Sequence, residues 1–215
     1  MSSRRHRARF LVAAALALVA PLCLPACERA AAPPAPAPAV VLFDGTSLAG
    51  WSHAGPGGFD LLDGALRTRG GMGLLWFSGR AFSDVELELD WRTSHRTDNS
   101  GVFVRFPAPG DDPWVAVRRG YEIQINDDPT RDPQTTGAIY GVQPPITSAS
   151  RPAGEWNHYR IRVVGAEYAV WLNQTLVARF VSTDPARGRR GYVGLQNHDP
   201  NSTVDFRAVR AVPLP

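Results

Sequence analysis

Lysine is absent from this sequence, and all 23 basic side chains are arginine. Cysteine is nearly absent: Cys23 and Cys27 both lie near the amino terminus, so neither a disulfide framework nor a thiolate metal site is open to the rest of the chain. Beyond Leu24 there is no long apolar run and no stretch of helical period, which argues against a helical bundle, and there is no internal repeat. A true positive excess is missing too. The formal charge is +3, but Arg4, Arg5, Arg7 and Arg9 precede the first apolar run and residues 1–26 hold no acid, which leaves 19 arginines against 20 acids, a net of −1. The basic balance belongs to the leader, so no nucleic-acid partner is expected.

That leader has a positive start, an apolar run from Phe10 to Leu24 interrupted by Pro21, and the small Ala26 before Cys27. This is the layout of a secretory signal over residues 1–26, too short and too poorly flanked for a membrane span. Leu24-Pro25-Ala26-Cys27 is similar to a bacterial lipobox, although proline is unusual inside one. It predicts lipidation at Cys27 and a periplasmic or outer-membrane lipoprotein that meets the membrane only through its anchor, with plain secretion as the alternative. Residues 27–39, rich in alanine and proline, read as an extended tether.

From residue 40 to 213 the chain alternates short apolar and polar positions between glycine, aspartate and asparagine. The pattern predicts an all-β domain of ten to twelve strands without helices, folded as a two-sheet antiparallel β-sandwich. Asp63-Gly64 and Asn173-Gln174 mark tight turns. The run FSDVELELDWR puts Val85, Leu87, Leu89 and Trp91 on one face and Glu86, Glu88, Asp90 and Arg92 on the other.

The polar face most suggestive of chemistry comes from NSGVFVRF and YEIQIND. Alternation puts Asn99, Gly101, Phe103 and Arg105 together, and Glu122, Gln124 and Asn126 together, so pairing the two strands gathers an arginine, a carboxylate and amides. Pro107 to Arg119 reads as the loop between them. Further along, Tyr192, Gly194, Gln196 and His198 share a face, and Asp127 and Asp128 sit at a strand exit where turn chemistry explains them nearly as well. Trp114, Tyr140 and Trp156 are aromatic candidates for stacking on a flat ligand, Trp156 more as strand-edge packing. Glu86, Glu88 and Asp90 also line up carboxylates on one strand, but exposed acids on a sheet give the same pattern.

Taken in order, LFDGTSLAGW, NSGVFVR, YEIQIND, TGAIYG, WNHYRI, VWLNQ, GYVGLQNH and DFRAVR resemble the signature run of the 3-keto-disaccharide hydrolase domain, over about residues 40 to 213. The resemblance implies a jelly roll similar to concanavalin A-like lectins and laminarinases, with a concave binding sheet. It implies cleavage of glycosides already oxidised at C3 by a separate sugar 3-dehydrogenase, the oxidised carbohydrate being the substrate. On that reading Glu122, His198 and Arg105 are the catalytic candidates, and Asn99, Gln124, Asp127, Tyr140 and Gln196 the substrate-binding ones. No motif defines a metal site, though oxygen and nitrogen ligands leave room for a divalent cation. The alternative is a non-catalytic carbohydrate-binding module of the same fold. Two departures stand out: Gln174 replaces a glycine, and Asp199-Pro200-Asn201-Ser202 lengthens the turn after His198, which could displace that histidine.

Overall fold

The computed structural model describes residues 38–215; the leader, Cys27 and most of the tether lie outside the described residues. Two antiparallel sheets pack face to face, as the alternation predicts. The larger contains β1 (Val40–Phe43), β3 (Gly58–Leu62), β4 (Ala65–Arg69), β6 (Val85–Thr93), β9 (Asn157–Val164), β10 (Glu167–Leu172), β11 (Thr175–Val181) and β13 (Val204–Pro213). Its order is β11-β10-β9-β6-β13-β4-β3, with β1 also paired to β13. The smaller contains β2 (Trp51–Ala54), β5 (Gly73–Phe77), β7 (Ser100–Phe106), β8 (Tyr121–Ile125) and β12 (Tyr192–Asn197), in the order β2-β5-β12-β7-β8.

The core is built from inward positions on both sheets. Leu87, Leu89 and Trp91 of β6 and Tyr159 and Ile161 of β9 meet Val102 and Val104 of β7, Ile123 and Ile125 of β8 and Leu195 of β12. The outward residues of β6 are tied to neighbouring strands: Asp90 to His158 at 2.9 Å and Arg207 at 3.1 Å, Glu88 to Arg210, and Glu86 to Arg160 at 3.5 Å. The carboxylate row of β6 is therefore an ion-paired outer face on the larger sheet. Trp156 lies on the same side, beneath the guanidinium groups of Arg92 and Arg207, 4.6 and 3.9 Å from its ring centre.

Two departures from the sequence reading shape the smaller sheet. First, Tyr192 pairs with Phe106 and Val193 with Val104, so Arg105, at φ 58°, is an extra residue in β7. This bulge breaks the alternation. Phe106 joins Phe103, Trp76 and Tyr192 on the outer face, while Arg105 swings aside to bond Asp84 and the Ser83 carbonyl, each at 2.8 Å, and the Gly165 carbonyl. Second, the connection after β7 contains a helix, α1 (Trp114–Arg119). Its Ala116 and Val117 cover the outer aromatic cluster, which a loop with exposed carbonyls could not do as well.

Candidate active site

The site lies on the outer face of the smaller sheet, where β12, β7 and β8 run side by side. Registers Gly194↔Phe103 and Phe103↔Glu122 set one cross-strand row; the next row brings Gly101 opposite Gln124, with Gln196 on the far side. Gly101 is the low point. A Cβ there would come within 2.5 Å of Glu122 Oε1 and 2.7 Å of its Cγ, so the absent side chain is what lets the carboxyl lie across β7.

Glu122 is 6 % exposed. With the Gln124 amide oriented by its surroundings, its nitrogen donates to the Ser100 carbonyl at 2.9 Å and to Glu122 Oε1 at 3.2 Å. Burial pushes the Glu122 carboxyl up to about 8, and a hydrogen bond from the Gln196 amide pulls only weakly the other way. Arg105, expected to stand beside Glu122, is on the far side of the bulge, so its charge does not oppose this rise.

These groups floor a cavity of about 340 Å³. Asn99, Gln124, Asn126 and Gln196 supply amides, His198 stands at its mouth, and Trp114 and Val117 of α1 form one wall. Thr130, Arg131, Gln134 and Tyr140 form the other. Two amide oxygens, Asn99 Oδ1 and Gln196 Oε1, are buried without a hydrogen-bond partner, leaving acceptors for ligand hydroxyl or N–H donors. Trp114 and Tyr140 remain 49 % and 44 % exposed, with rings free at the rim.

The second wall is held by backbone bonding to the free edge of β8. Tyr140 N donates to the Glu122 carbonyl, Gln124 N to the Ala138 carbonyl, both at 3.0 Å, and Thr136 N to the Asn126 carbonyl at 2.9 Å. Asp128 caps the turn Pro129–Arg131, accepting from Thr130 N at 2.9 Å. From behind, Tyr159 donates its hydroxyl to the Gln124 carbonyl at 2.6 Å, anchoring β8 to the larger sheet.

His198 sits at the end of β12, its Nδ1 2.8 Å from Asp199 Oδ2. The lengthened turn that cast doubt on this histidine instead supplies its partner.

Of the candidates read from the sequence, Glu122, His198, Asn99, Gln124, Tyr140 and Gln196 converge on this cavity. Arg105 does not, for the reason given by the bulge. Nor does Asp127: β8 alternation turns it away, so its carboxylate accepts from Ser150 Oγ at 2.8 Å and its carbonyl from Arg96 at 2.9 Å, on the other side of the wall. Thr130, Arg131 and Gln134 were missed because they reach the cavity only through the fold of a long loop. Among the described residues no group of three or more His, Cys, Asp or Glu side chains is placed to hold a metal ion.

A family model for the 3-keto-alpha-glucoside-1,2-lyase-like domain matches residues 38–211. The chain belongs to this family. A Bacteroides thetaiotaomicron relative named 3-keto-disaccharide hydrolase is 22 % identical, the match covering 80 % of this chain and 77 % of the relative. A solved Parabacteroides distasonis structure, described as a candidate glycosyl hydrolase, superposes with a TM-score of 0.70 at 22 % identity, over 82 % of this chain and 94 % of that one. The CBM66 carbohydrate-binding module of Bacillus subtilis also shares the fold, with a TM-score of 0.57 at 16 % identity, over 76 % of this chain and 95 % of the module. The sandwich architecture is thus common to proteins described as enzymes and as binding modules.

Proposed function

We propose that the cavity cleaves glycosides whose ring carries a ketone at C3, a glycoside-hydrolase-type activity that the family and the names of its relatives support. The observation that carries the reading is a buried carboxyl raised to about 8 among amides, in one cavity with a histidine–aspartate pair. A site for holding a sugar needs the amides and aromatic rims but not this pair of ionisable groups.

A C3 ketone acidifies the C2 proton. His198 Nε2 takes that proton, and the C3 oxygen gains negative charge as the enolate forms. Glu122, protonated at neutral pH, donates a hydrogen bond to this oxygen, and the Gln124 and Gln196 amides surround it. Collapse of the enolate makes a C1=C2 double bond and breaks the C1–O bond; the departing oxygen takes the proton from His198. Water then adds across the double bond, giving the free 3-keto sugar. The route requires no opposed pair of carboxylates. Asn99 Oδ1 accepts from a ring hydroxyl, and Trp114 and Tyr140 flank the leaving group.

The test compares chromogenic α- and β-glucosides with their 3-keto analogues. Turnover of a keto compound alone is expected, reduced about 100-fold or more by His198→Ala and by Glu122→Ala. The rate should fall as pH rises through about 8, because Glu122 then loses the proton it donates. A rate that instead climbs through that range would make Glu122 the base. Saturable binding without turnover would favour the carbohydrate-binding reading.

A further inference from the structure

The turn after β12 does more than carry the chain across to β13 in the larger sheet. Asp199 Oδ1 accepts from the backbone N–H groups of Asn201 and Ser202, at 2.8 and 3.0 Å. Its Oδ2 accepts from Ser202 Oγ, again at 2.8 Å, and faces His198 Nδ1. Ser202 Oγ in turn accepts from Asn99 N at 2.8 Å, and the Ser202 carbonyl accepts from Thr68 Oγ1 at 3.1 Å, which ties the turn to β4. Three polar steps therefore run from His198 through Asp199 and Ser202 to Asn99, joining two cavity residues that flank different strands, His198 just after β12 and Asn99 just before β7.

We propose that Asp199 is a positioning residue for His198, fixing its Nδ1–H tautomer so that a bare Nε2 faces the cavity, and that Ser202 locks Asn99 to the same turn. The inference rests on the functional reading above for its consequence in catalysis, but the positioning itself stands on the hydrogen bonds. A carboxylate whose two oxygens are held by three N–H and O–H donors has no rotational freedom, and only a donor at His198 Nδ1 completes it. Although burial works against its charge, the bonds from His198, Ser202 and Asn201 hold Asp199 below the ordinary carboxylate value, so it is an acceptor at neutral pH. The other titratable or charged groups around the cavity are Glu122 from β8 and Arg131 and Tyr140 from the opposite wall; none bonds the imidazole.

Asp199→Asn separates this role from a structural one. The Asn201 and Ser202 N–H groups keep the carbonyl oxygen of the new amide where Oδ1 was, so the turn survives. The amide NH2 then replaces Oδ2, faces His198 Nδ1 as a donor, and forces the Nε2–H tautomer, which has no lone pair to offer a substrate. Long-range 1H–15N correlation spectra of wild type and variant, with His198→Gln to assign the signal, read the tautomer without any substrate. The expected result is Nδ1–H in wild type, Nε2–H in the variant, and kcat on the 3-keto glucoside lowered about 100-fold with KM little changed. Ser202→Ala should keep the wild-type tautomer and raise KM several-fold as Asn99 loosens. An unaltered tautomer in the Asn variant overturns the proposal. If the wild type turns over no 3-keto glycoside, the functional reading fails, and the tautomer comparison still decides whether Asp199 positions His198.

Discussion

Gly101 shows how one missing side chain can set the chemistry of another. Its backbone takes no conformation closed to alanine, so its role is space: the Glu122 carboxyl occupies the volume a Cβ would need. Gly101→Ala should leave the fold intact at a cost of about 1–3 kcal/mol, because the buried Glu122 side chain must shift from its Cγ outward. The carboxyl would be pushed off the floor towards water, so its titration should drop from about 8 towards the ordinary 4.5. Carboxyl-selective NMR titration of variant and wild type checks this; an unmoved value would mean that burial at the floor is not what raises Glu122. His198 and Gln196 were legible as a pair from alternation alone. Asp199 was legible only as a departure from a family pattern, since hydrogen bonds within a turn leave no periodic mark.

At the scale of the element, the bulge in β7 separates stability from function. A two-residue period carries Arg105 to the face of Gly101 and Phe103, and a single inserted residue reverses that. The result puts a buried guanidinium where it ties β7 to the loop before β6 and to the β9–β10 turn, through Asp84, Ser83 and Gly165. Arg105→Ala leaves the Ser83 and Gly165 carbonyls without the guanidinium, while Asp84 keeps the Gly165 N–H at 3.0 Å and some contact with water. It should cost about 3 kcal/mol of stability, at the low end for a broken buried pair. Sugar binding should stay within about twofold, since the residue is remote from the cavity. Chemical denaturation beside calorimetric titration separates the two, and a large loss of affinity at unchanged stability would return Arg105 to the site. Helix α1 was likewise hidden: six residues are too few for a periodic signal, and its place is set by the aromatic cluster it covers.

For the whole molecule, the buried Glu122 links stability to pH. In the folded protein it keeps its proton up to about 8, whereas in the unfolded chain it releases it near 4.5. Unfolding therefore releases a proton between those values, and its contribution to stability declines as pH rises across that window and levels off above 8. Between pH 7 and 9 the folded state should lose about 1.4 kcal/mol from this group, one pH unit's worth, and Glu122→Gln should lack that part of the decline. Urea unfolding of both proteins at the two pH values measures it; equal slopes would place Glu122 in water. The sequence by itself determined the all-β class, the sandwich, the Asp63-Gly64 and Asn173-Gln174 turns, and which residues of β6, β8 and β12 face the core, because these follow from a period of two and local turn chemistry. Only the tertiary structure decided that Arg105 and Asp127 leave the site, that Thr130, Arg131 and Gln134 enter it, and that Asp199 meets His198. Those placements depend on a bulge, a folded loop and a tight turn, where neighbours distant in sequence, not periodicity, set the direction of each side chain.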